Sequence, residues 1–189
     1  MAKAKVLSDR EQKLVMGAAK QSRYPERNTL MMMLGLVAGL RAIEIASIRV
    51  GDVLDENGEV NEQVYLGKEQ TKGRKERVVY LNKRLRKAVR DYITQNGLNA
   101  KRDLRLLRTQ SNSGFTADTI RQAMRGLFTA AGISNASSHS CRRTALTTLA
   151  NKGVAVHIIR EIAGHQNLAT TQHYLEVSSD KLSGAVELL

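Results

Sequence analysis

Cysteine, proline and aromatic residues are scarce in this chain. Its 189 residues include one cysteine, Cys141, and one proline, Pro25. A single cysteine excludes an internal disulfide and a cysteine-rich zinc site, and a single proline excludes a proline-rich linker. Five tyrosines, two phenylalanines and no tryptophan leave few platforms for stacking single-stranded bases. A nucleic-acid partner is therefore expected to be a duplex, contacted through its phosphates.

Long hydrophobic runs are also missing. The longest apolar run, residues 30–40, has 11 residues, well short of the roughly 20 that a membrane helix needs. The first residues, MAKAKVLSDREQK, contain no apolar signal-peptide core. We therefore expect a cytoplasmic, nucleoid-associated protein with no membrane partner.

Acidic residues are outnumbered by basic ones. The chain has 30 Lys and Arg against 18 Asp and Glu, a net charge of +12. Between positions 72 and 108 there are 13 basic residues and 3 acidic ones. A solvated helix face is the ordinary explanation, but an excess this local favours a polyanionic partner. The candidates for phosphate contacts are Arg74, Lys75, Arg77, Lys83, Arg84, Lys87 and Arg143.

The patterning predicts a mainly α-helical fold with one small antiparallel β-hairpin. Ser8-x-x-Glu11 is a capping box, Pro25 suits a first helical turn, and Gly51-Asp52 and Asn57-Gly58 are turn signals. Strands are expected at residues 60–66 and 77–81. Helices are expected at residues 8–21, 25–40, 42–48, 85–93, 117–131, 140–151, 156–163, 168–176 and 179–188.

Two basic residues stand at positions suited to catalysis in the first half of the chain. Arg41 follows an apolar helix directly, and Glu44 is three residues further on, where it could orient the guanidinium. Lys72 stands beside Gly73 between the two predicted strands. Taken alone, an ordinary surface ion pair is the better explanation of Arg41 with Glu44, and a charged turn is the better explanation of Lys72.

The second half contributes two histidines, an arginine and a tyrosine. His139 and Arg142 are three apart at a predicted helix start, which favours bound anions. His165 precedes Tyr174 by nine residues. The alternatives are a capping histidine, a solvent arginine and a tyrosine packed under the core.

Together these side chains are of the kinds that phosphoryl transfer needs when no metal or other cofactor takes part. Glu44 is the only acidic candidate near the set, and one carboxylate does not hold two magnesium ions. The sequence lacks a Gly-x-x-x-x-Gly-Lys-Ser/Thr phosphate loop and the HExxH zinc spacing. Nucleotide hydrolysis and zinc chemistry are therefore not expected.

The order of these motifs resembles the catalytic domain of tyrosine recombinases, the phage integrase family. The resemblance runs from about Val6 to Leu189. Its matching segments are GLRAIEIASIRVGDV (39–53), TKGRKERVVYL (71–81), HSCRR (139–143) and AGHQNLATTQHYLEV (163–177). Arg143, Cys141 and Ala163 depart from the usual residues, and none of these changes removes a catalytic group.

The resemblance implies a role for each matching residue. Tyr174 would attack a DNA phosphodiester and form a 3′-phosphotyrosyl bond. Lys72, with the nearby Lys68 and Lys75 as alternatives, would protonate the leaving 5′-oxygen. Arg41 and Arg142 would hold the non-bridging oxygens. His139 would act as a base or bind the phosphate, His165 would bind the phosphate, and Glu44 would support the site.

The resemblance also implies an organisation and an assembly. Residues 1–178 would form the catalytic domain without the N-terminal DNA-clamping domain of longer relatives, and residues 179–189 a helix that docks on a neighbouring protomer. The expected partner is double-stranded DNA, bound by a homotetramer on two sites, with a monomer or weak oligomer in its absence. The alternatives are a non-cleaving DNA-binding accessory protein and an enzyme like type IB topoisomerases.

Overall fold

A computed structural model describes residues 4–111, 113–165, 167–172 and 186–187 of the chain. It contains two compact units, Met1–Ala145 and Leu146–Leu189. In the described part of the first unit, helices alternate with one hairpin. The helices are α1 (Asp9–Lys20), α2 (Pro25–Leu36), α3 (Ala42–Ser47), α4 (Val50–Val53), α5 (Lys83–Gln95), α6 (Ala117–Ala130) and α7 (Ser138–Asn151), which ends in the second unit.

Helix α2 lies at the centre of the first unit. It packs against α1, α3, α5 and α6, and six consecutive residues at positions 30–35 are buried. This second half of α2 is apolar on every face, and such a segment is stable only when neighbours surround it. Gly35 allows a close approach to Cys141, because a Cβ at position 35 would lie 3.0 Å from Cys141 Cβ.

Polar side chains cap three of the helices, and the sequence predicts one of these caps, the capping box of α1. Ser8 and Glu11 form the capping box of α1, and Asn82 and Thr116 accept backbone N–H groups at the starts of α5 and α6. These bonds satisfy donors that would otherwise lack partners in the first turn. The boundaries of these helices therefore follow from local sequence.

The hairpin consists of β1 (Gln63–Leu66) and β2 (Arg77–Tyr80), paired antiparallel with Leu66 opposite Arg77. Val64, Leu66 and Val79 are buried, whereas Tyr65 and Tyr80 are exposed. One face of the hairpin therefore covers the core. Its connection holds a short 3₁₀ turn, residues 68–70, and the turn that carries Lys72.

The mainly helical fold with a small antiparallel sheet is confirmed, with three local differences. Helix α2 ends at Leu36 rather than residue 40, because the chain reverses through Gly39 at φ +63°. The predicted turn at Gly51-Asp52 is wrong, since α4 forms there and Asp52 accepts the Arg49 N–H at 2.8 Å. Val60 pairs with Leu54 in an isolated bridge rather than within β1.

The second unit contains the end of α7, α8 (Val156–Ala163) and α9 (Leu168–Gln172). Leu146, Ile159 and Ala163 form its small core. Gly164 ends α8 in the left-handed conformation at φ 60°, as glycine at this position commonly does. The predicted helix at 179–188 lies almost wholly outside the described residues. Among the residues that are described, no helix is long and apolar enough to cross a membrane.

Candidate active site

Arg41 is fixed by Glu44 through both its backbone and its side chain. Glu44 Oε2 accepts the Arg41 backbone N–H at 2.7 Å, and Oε1 accepts from Arg41 Nη1 at 2.9 Å. Glu44 is fully buried, while the Arg41 side chain keeps 19% of its surface exposed. The Glu44 carboxylate thus caps the start of α3 and also orients the Arg41 guanidinium.

The turn that carries Lys72 is tied to α3. Ser47 Oγ lies 3.2 Å from the Gln70 carbonyl oxygen, to which it donates, and Gln70 Nε2 donates back to the Ser47 carbonyl oxygen at 3.2 Å. Buried Thr71 donates to the Lys75 carbonyl oxygen at 2.6 Å. Gly73 and Arg74 then complete the turn at φ +90° and +51°. The exposed Lys72 side chain therefore extends from a turn whose backbone is held in place by hydrogen bonds.

Arg142 is buried on the first turns of α7. Its Nη1 donates to the Gly39 carbonyl oxygen at 2.7 Å, two residues before Arg41. Thr144 anchors this part of α7, because its hydroxyl accepts the Leu7 N–H at 2.8 Å and donates to the Ser140 carbonyl oxygen. Two arginines that are distant in sequence are thereby held around one backbone segment.

His139 lies within electrostatic reach of these cations. Partial burial lowers the pKa of His139 below its usual 6.5, and the positive charges of Arg142 and Lys72 lower that pKa further. A neutral imidazole has one nitrogen available to accept a proton or a hydrogen bond. The first unit thus brings Arg41, Lys72, His139 and Arg142 together.

Arg121 of α6 belongs to the same electrostatic neighbourhood, and sequence reasoning missed it. Its charge also lowers the pKa of His139, and its guanidinium pairs with Asp118 one turn earlier. Nothing in the local sequence marks Arg121, because α6 reads as an ordinary amphipathic helix. The packing of α6 against α3 gives it this position.

His165 belongs to the second unit. Its Nδ1 lies 3.0 Å from the hydroxyl oxygen of buried Thr171, and this hydrogen bond fixes the orientation of the ring. Thr171 is a second group that sequence reasoning did not single out. Tyr174 lies outside the described residues.

Two of the candidates for phosphate contact also bond to protein groups. Arg77 has 7% of its side chain exposed and pairs with Glu44, and Arg143 Nη1 donates to the Ala4 carbonyl oxygen at 2.7 Å. Arg102, within the basic block, likewise donates to the carbonyl oxygens of Leu54 and Asp55. Part of the basic excess therefore supports the fold.

The other candidates for phosphate contact are exposed. Arg74 and Lys75 lie in the turn beside Lys72, and Lys83, Arg84 and Lys87 lie along α5. Lys87 pairs with Asp91 one turn later at 2.7 Å. Across the described part of the chain, no three His, Cys, Asp or Glu side chains lie close enough to share a metal ion.

Comparison with known proteins assigns the family. The phage integrase family model matches residues 5–181, and the chain therefore belongs to the phage integrase family. It is 30% identical over 165 residues to a tyrosine recombinase of Pseudothermotoga lettingae, an alignment that covers 87% of this chain and 54% of that protein. The chain thus spans about half the length of such relatives.

Solved structures share the fold. The crystal structure of XerA recombinase superposes with a TM-score of 0.78 at 23% identity, covering 100% of this chain and 66% of that one. XerH site-specific recombinase, in a post-cleavage complex with palindromic difH substrate, superposes with a TM-score of 0.74 at 20% identity. That superposition covers 98% of this chain and 53% of the XerH chain. The tyrosine recombinase catalytic-domain fold is thereby confirmed for this chain.

Proposed function

We propose that the chain is a site-specific DNA recombinase that cleaves and rejoins strands through a 3′-phosphotyrosyl intermediate. The observation that carries the proposal is that Arg41, Lys72 and Arg142 lie close enough to His139 for their charges to lower its pKa, while Arg142 bonds to the backbone segment that carries Arg41. Binding duplex DNA needs basic groups alone, so a base held among cations points to chemistry on a phosphate. The related XerH was captured with cleaved difH substrate, which supports the same reaction here.

In the cleavage step, the Tyr174 hydroxyl oxygen forms a bond to the scissile phosphorus. The bond from phosphorus to the 5′-oxygen breaks, and that oxygen takes a proton from Lys72. The tyrosine proton passes to a base, for which His139 is the candidate. The phosphate bond is kept as a phosphotyrosine, so the reverse step reseals a strand without ATP or a metal.

The cations lower the barrier because charge builds on the phosphate oxygens. A tyrosine with a pKa near 10 is a weak nucleophile at neutral pH, and surrounding positive charge favours its phenolate. Planar guanidinium groups match two phosphate oxygens at once. Arg41 and Arg142 enter this role already oriented, Arg41 by Glu44 and Arg142 by the Gly39 carbonyl.

The test is covalent trapping. Nicked duplexes from the native replicon release a short fragment on cleavage, which blocks religation. The DNA that stays attached after denaturation is sequenced, with Tyr174→Phe in parallel. An adduct from the unsubstituted chain that is lost in Tyr174→Phe is expected. Salt-sensitive binding without an adduct would instead favour the DNA-binding accessory protein.

Strand exchange separates a recombinase from an enzyme that only nicks and closes. We expect recombinant products from two-site plasmids, formed by a tetramer that assembles on DNA. Deleting residues 179–189 should weaken that assembly if this segment docks on a neighbouring protomer. Relaxed plasmid without recombinants, made by a monomer, would favour chemistry like that of type IB topoisomerases.

A further inference from the structure

Arg77 begins β2 with its side chain turned toward the protein rather than toward solvent. It pairs in the ladder with buried Leu66, and 7% of its side chain is exposed. Arg74, three residues earlier, is exposed in the turn. The two arginines of this hairpin therefore have different surroundings, and only Arg74 is placed as a phosphate contact would be.

One partner of Arg77 is the carboxylate that holds Arg41. Arg77 Nη1 lies 3.1 Å from Glu44 Oε1 and 3.4 Å from Oε2. Glu44 Oε1 also accepts from Arg41 Nη1 at 2.9 Å. One buried carboxylate thus lies between two guanidinium groups, of which Arg41 alone keeps substantial exposure.

A buried carboxylate is stable only when cations and hydrogen bonds compensate its charge. If Arg41 were the sole cation, its interaction with Glu44 would have to weaken as it turned toward a phosphate. Arg77 provides a second cation that stays in place. Burial lowers the pKa of Arg77, while the charge of Glu44 opposes that shift. Each charge therefore stabilises the other in its buried position.

We infer that Arg77 is a positioning residue: it holds Glu44 in place so that Glu44 can orient Arg41 on the scissile phosphate. This inference rests on the proposed strand-cleavage function. It assigns Arg77 to the cleavage step, whereas a residue that contacts the DNA backbone would act on binding.

The experiment compares three substitutions in the full chain: Arg77→Met, Arg77→Lys and Arg102→Met. Arg102 is the matched control, because it also donates to protein groups in the first unit, the carbonyls of Leu54 and Asp55. Each variant is assayed for its DNA dissociation constant at fixed salt and for its single-turnover cleavage rate at saturating DNA. The DNA is the duplex recovered by covalent trapping.

We expect Arg77→Met to bind DNA within about twofold of the unsubstituted chain and to cleave at least tenfold more slowly, which corresponds to a barrier higher by about 1.4 kcal/mol. Arg77→Lys should recover part of the rate, because an ammonium can still reach Glu44. Arg102→Met should cleave at the unsubstituted rate. Arg74→Met should weaken DNA binding, which is the signature of a phosphate contact.

A methylphosphonate at the scissile position separates positioning from general stability. Replacing one charged non-bridging oxygen by methyl reduces the negative charge that Arg41 has to stabilise. The defect of Arg77→Met should therefore shrink at least threefold on this substrate, as should that of Arg41→Met. Thermal melting of each variant gives the folded fraction, and if Arg77→Met is unfolded at the assay temperature, Arg77→Lys provides the same comparison.

Three results would overturn the inference. Arg77→Met that cleaves normally but binds DNA weakly would make Arg77 a phosphate contact. An equal cleavage defect of Arg77→Met on the phosphate and methylphosphonate substrates would show that Arg77 has only a structural role. Failure of the unsubstituted chain to form any adduct would remove the proposed function itself, an outcome distinct from the other two.

Discussion

Arg142 donates a 2.7 Å hydrogen bond from Nη1 to the carbonyl oxygen of Gly39, two residues before Arg41. The backbone segment that presents one arginine of the candidate site therefore orients the other. The carbonyl has this position because Gly39 adopts φ +63°, a conformation that glycine reaches without strain. Glycine at this position is thus linked to the geometry of both arginines.

Gly39→Ala should impair stability and cleavage together. A Cβ in the left-handed region costs about 1–2 kcal/mol, and a displaced carbonyl should slow cleavage roughly 10–100-fold. Gly97→Ala is the matched control, because Gly97 has φ +60° and open space around its would-be Cβ. Chemical denaturation and cleavage rates should show a similar loss of stability in both variants, with slow cleavage in Gly39→Ala alone. Equal cleavage by the two would contradict the link to Arg142.

Gly35→Ala should destabilise the protein although alanine favours helices. Its Cβ would lie 3.0 Å from Cys141 Cβ and 3.1 Å from Met124 Cε, and overpacking of this kind costs about 1–3 kcal/mol. Gly126→Ala in the interior of α6 meets nothing within 4 Å and should stabilise by up to about 1 kcal/mol. Urea denaturation of both variants tests the packing of α2 on α7, and a gain in Gly35→Ala would disprove it.

His139 should titrate below pH 6.5 in the DNA-free protein. Burial lowers its pKa, and Arg142 and Lys72 lower it further, so the imidazole is neutral at pH 7. Below about pH 6.5 the unfolded chain binds this proton first, so the contribution of His139 to the free energy of unfolding decreases as the pH falls. NMR titration, assigned with His139→Gln, measures the midpoint, and Lys72→Met should raise it. A midpoint above 6.5 would contradict the electrostatic cluster.

Thr171→Val should slow cleavage, because His165 loses the hydrogen bond that orients its ring. Valine keeps the shape of the buried side chain and removes the hydroxyl that lies 3.0 Å from Nδ1. A typical hydrogen bond contributes about 0.5–1.5 kcal/mol, so a decrease of roughly 2–10-fold is expected. Thr171→Ser keeps the hydroxyl and should retain the higher rate in single-turnover assays. Equal rates for Val and Ser would show that the hydrogen bond does not matter to the reaction.

DNA affinity should fall steeply with salt. If about 6–10 phosphates are neutralised, the loss between 50 and 200 mM salt is on the order of 10³–10⁵. Replacing exposed Arg74 or Lys75 by methionine should reduce the slope of log affinity against log salt by about 1. Arg143→Met should leave the slope unchanged if Arg143 remains bound to the Ala4 carbonyl. Fluorescence anisotropy across a salt series measures these slopes.

Local signals determined the elements of the fold. The capping box of Ser8 and Glu11, the cap of Thr116 and the reversals at glycines fixed where helices begin and end, because those contacts span at most four residues. The alternation of buried and exposed residues in β1 marked a strand in the same way. The motif order around Arg41, Lys72, His139 and Arg142 also belongs to the sequence, which indicated the chemistry and the family.

Tertiary structure alone decided which basic groups serve the site and which support the fold. Arg77 meets Glu44 across 33 positions, Arg142 meets Gly39 across 103, and Arg143 reaches Ala4 across 139. No local pattern distinguishes a lysine or arginine exposed to solvent from one that is paired after folding, because the same side chain suits both places. Only the packing of α3, α6, α7 and the hairpin brings these distant groups together, and it gives Arg77 and Arg121 positions that their neighbours in sequence do not reveal.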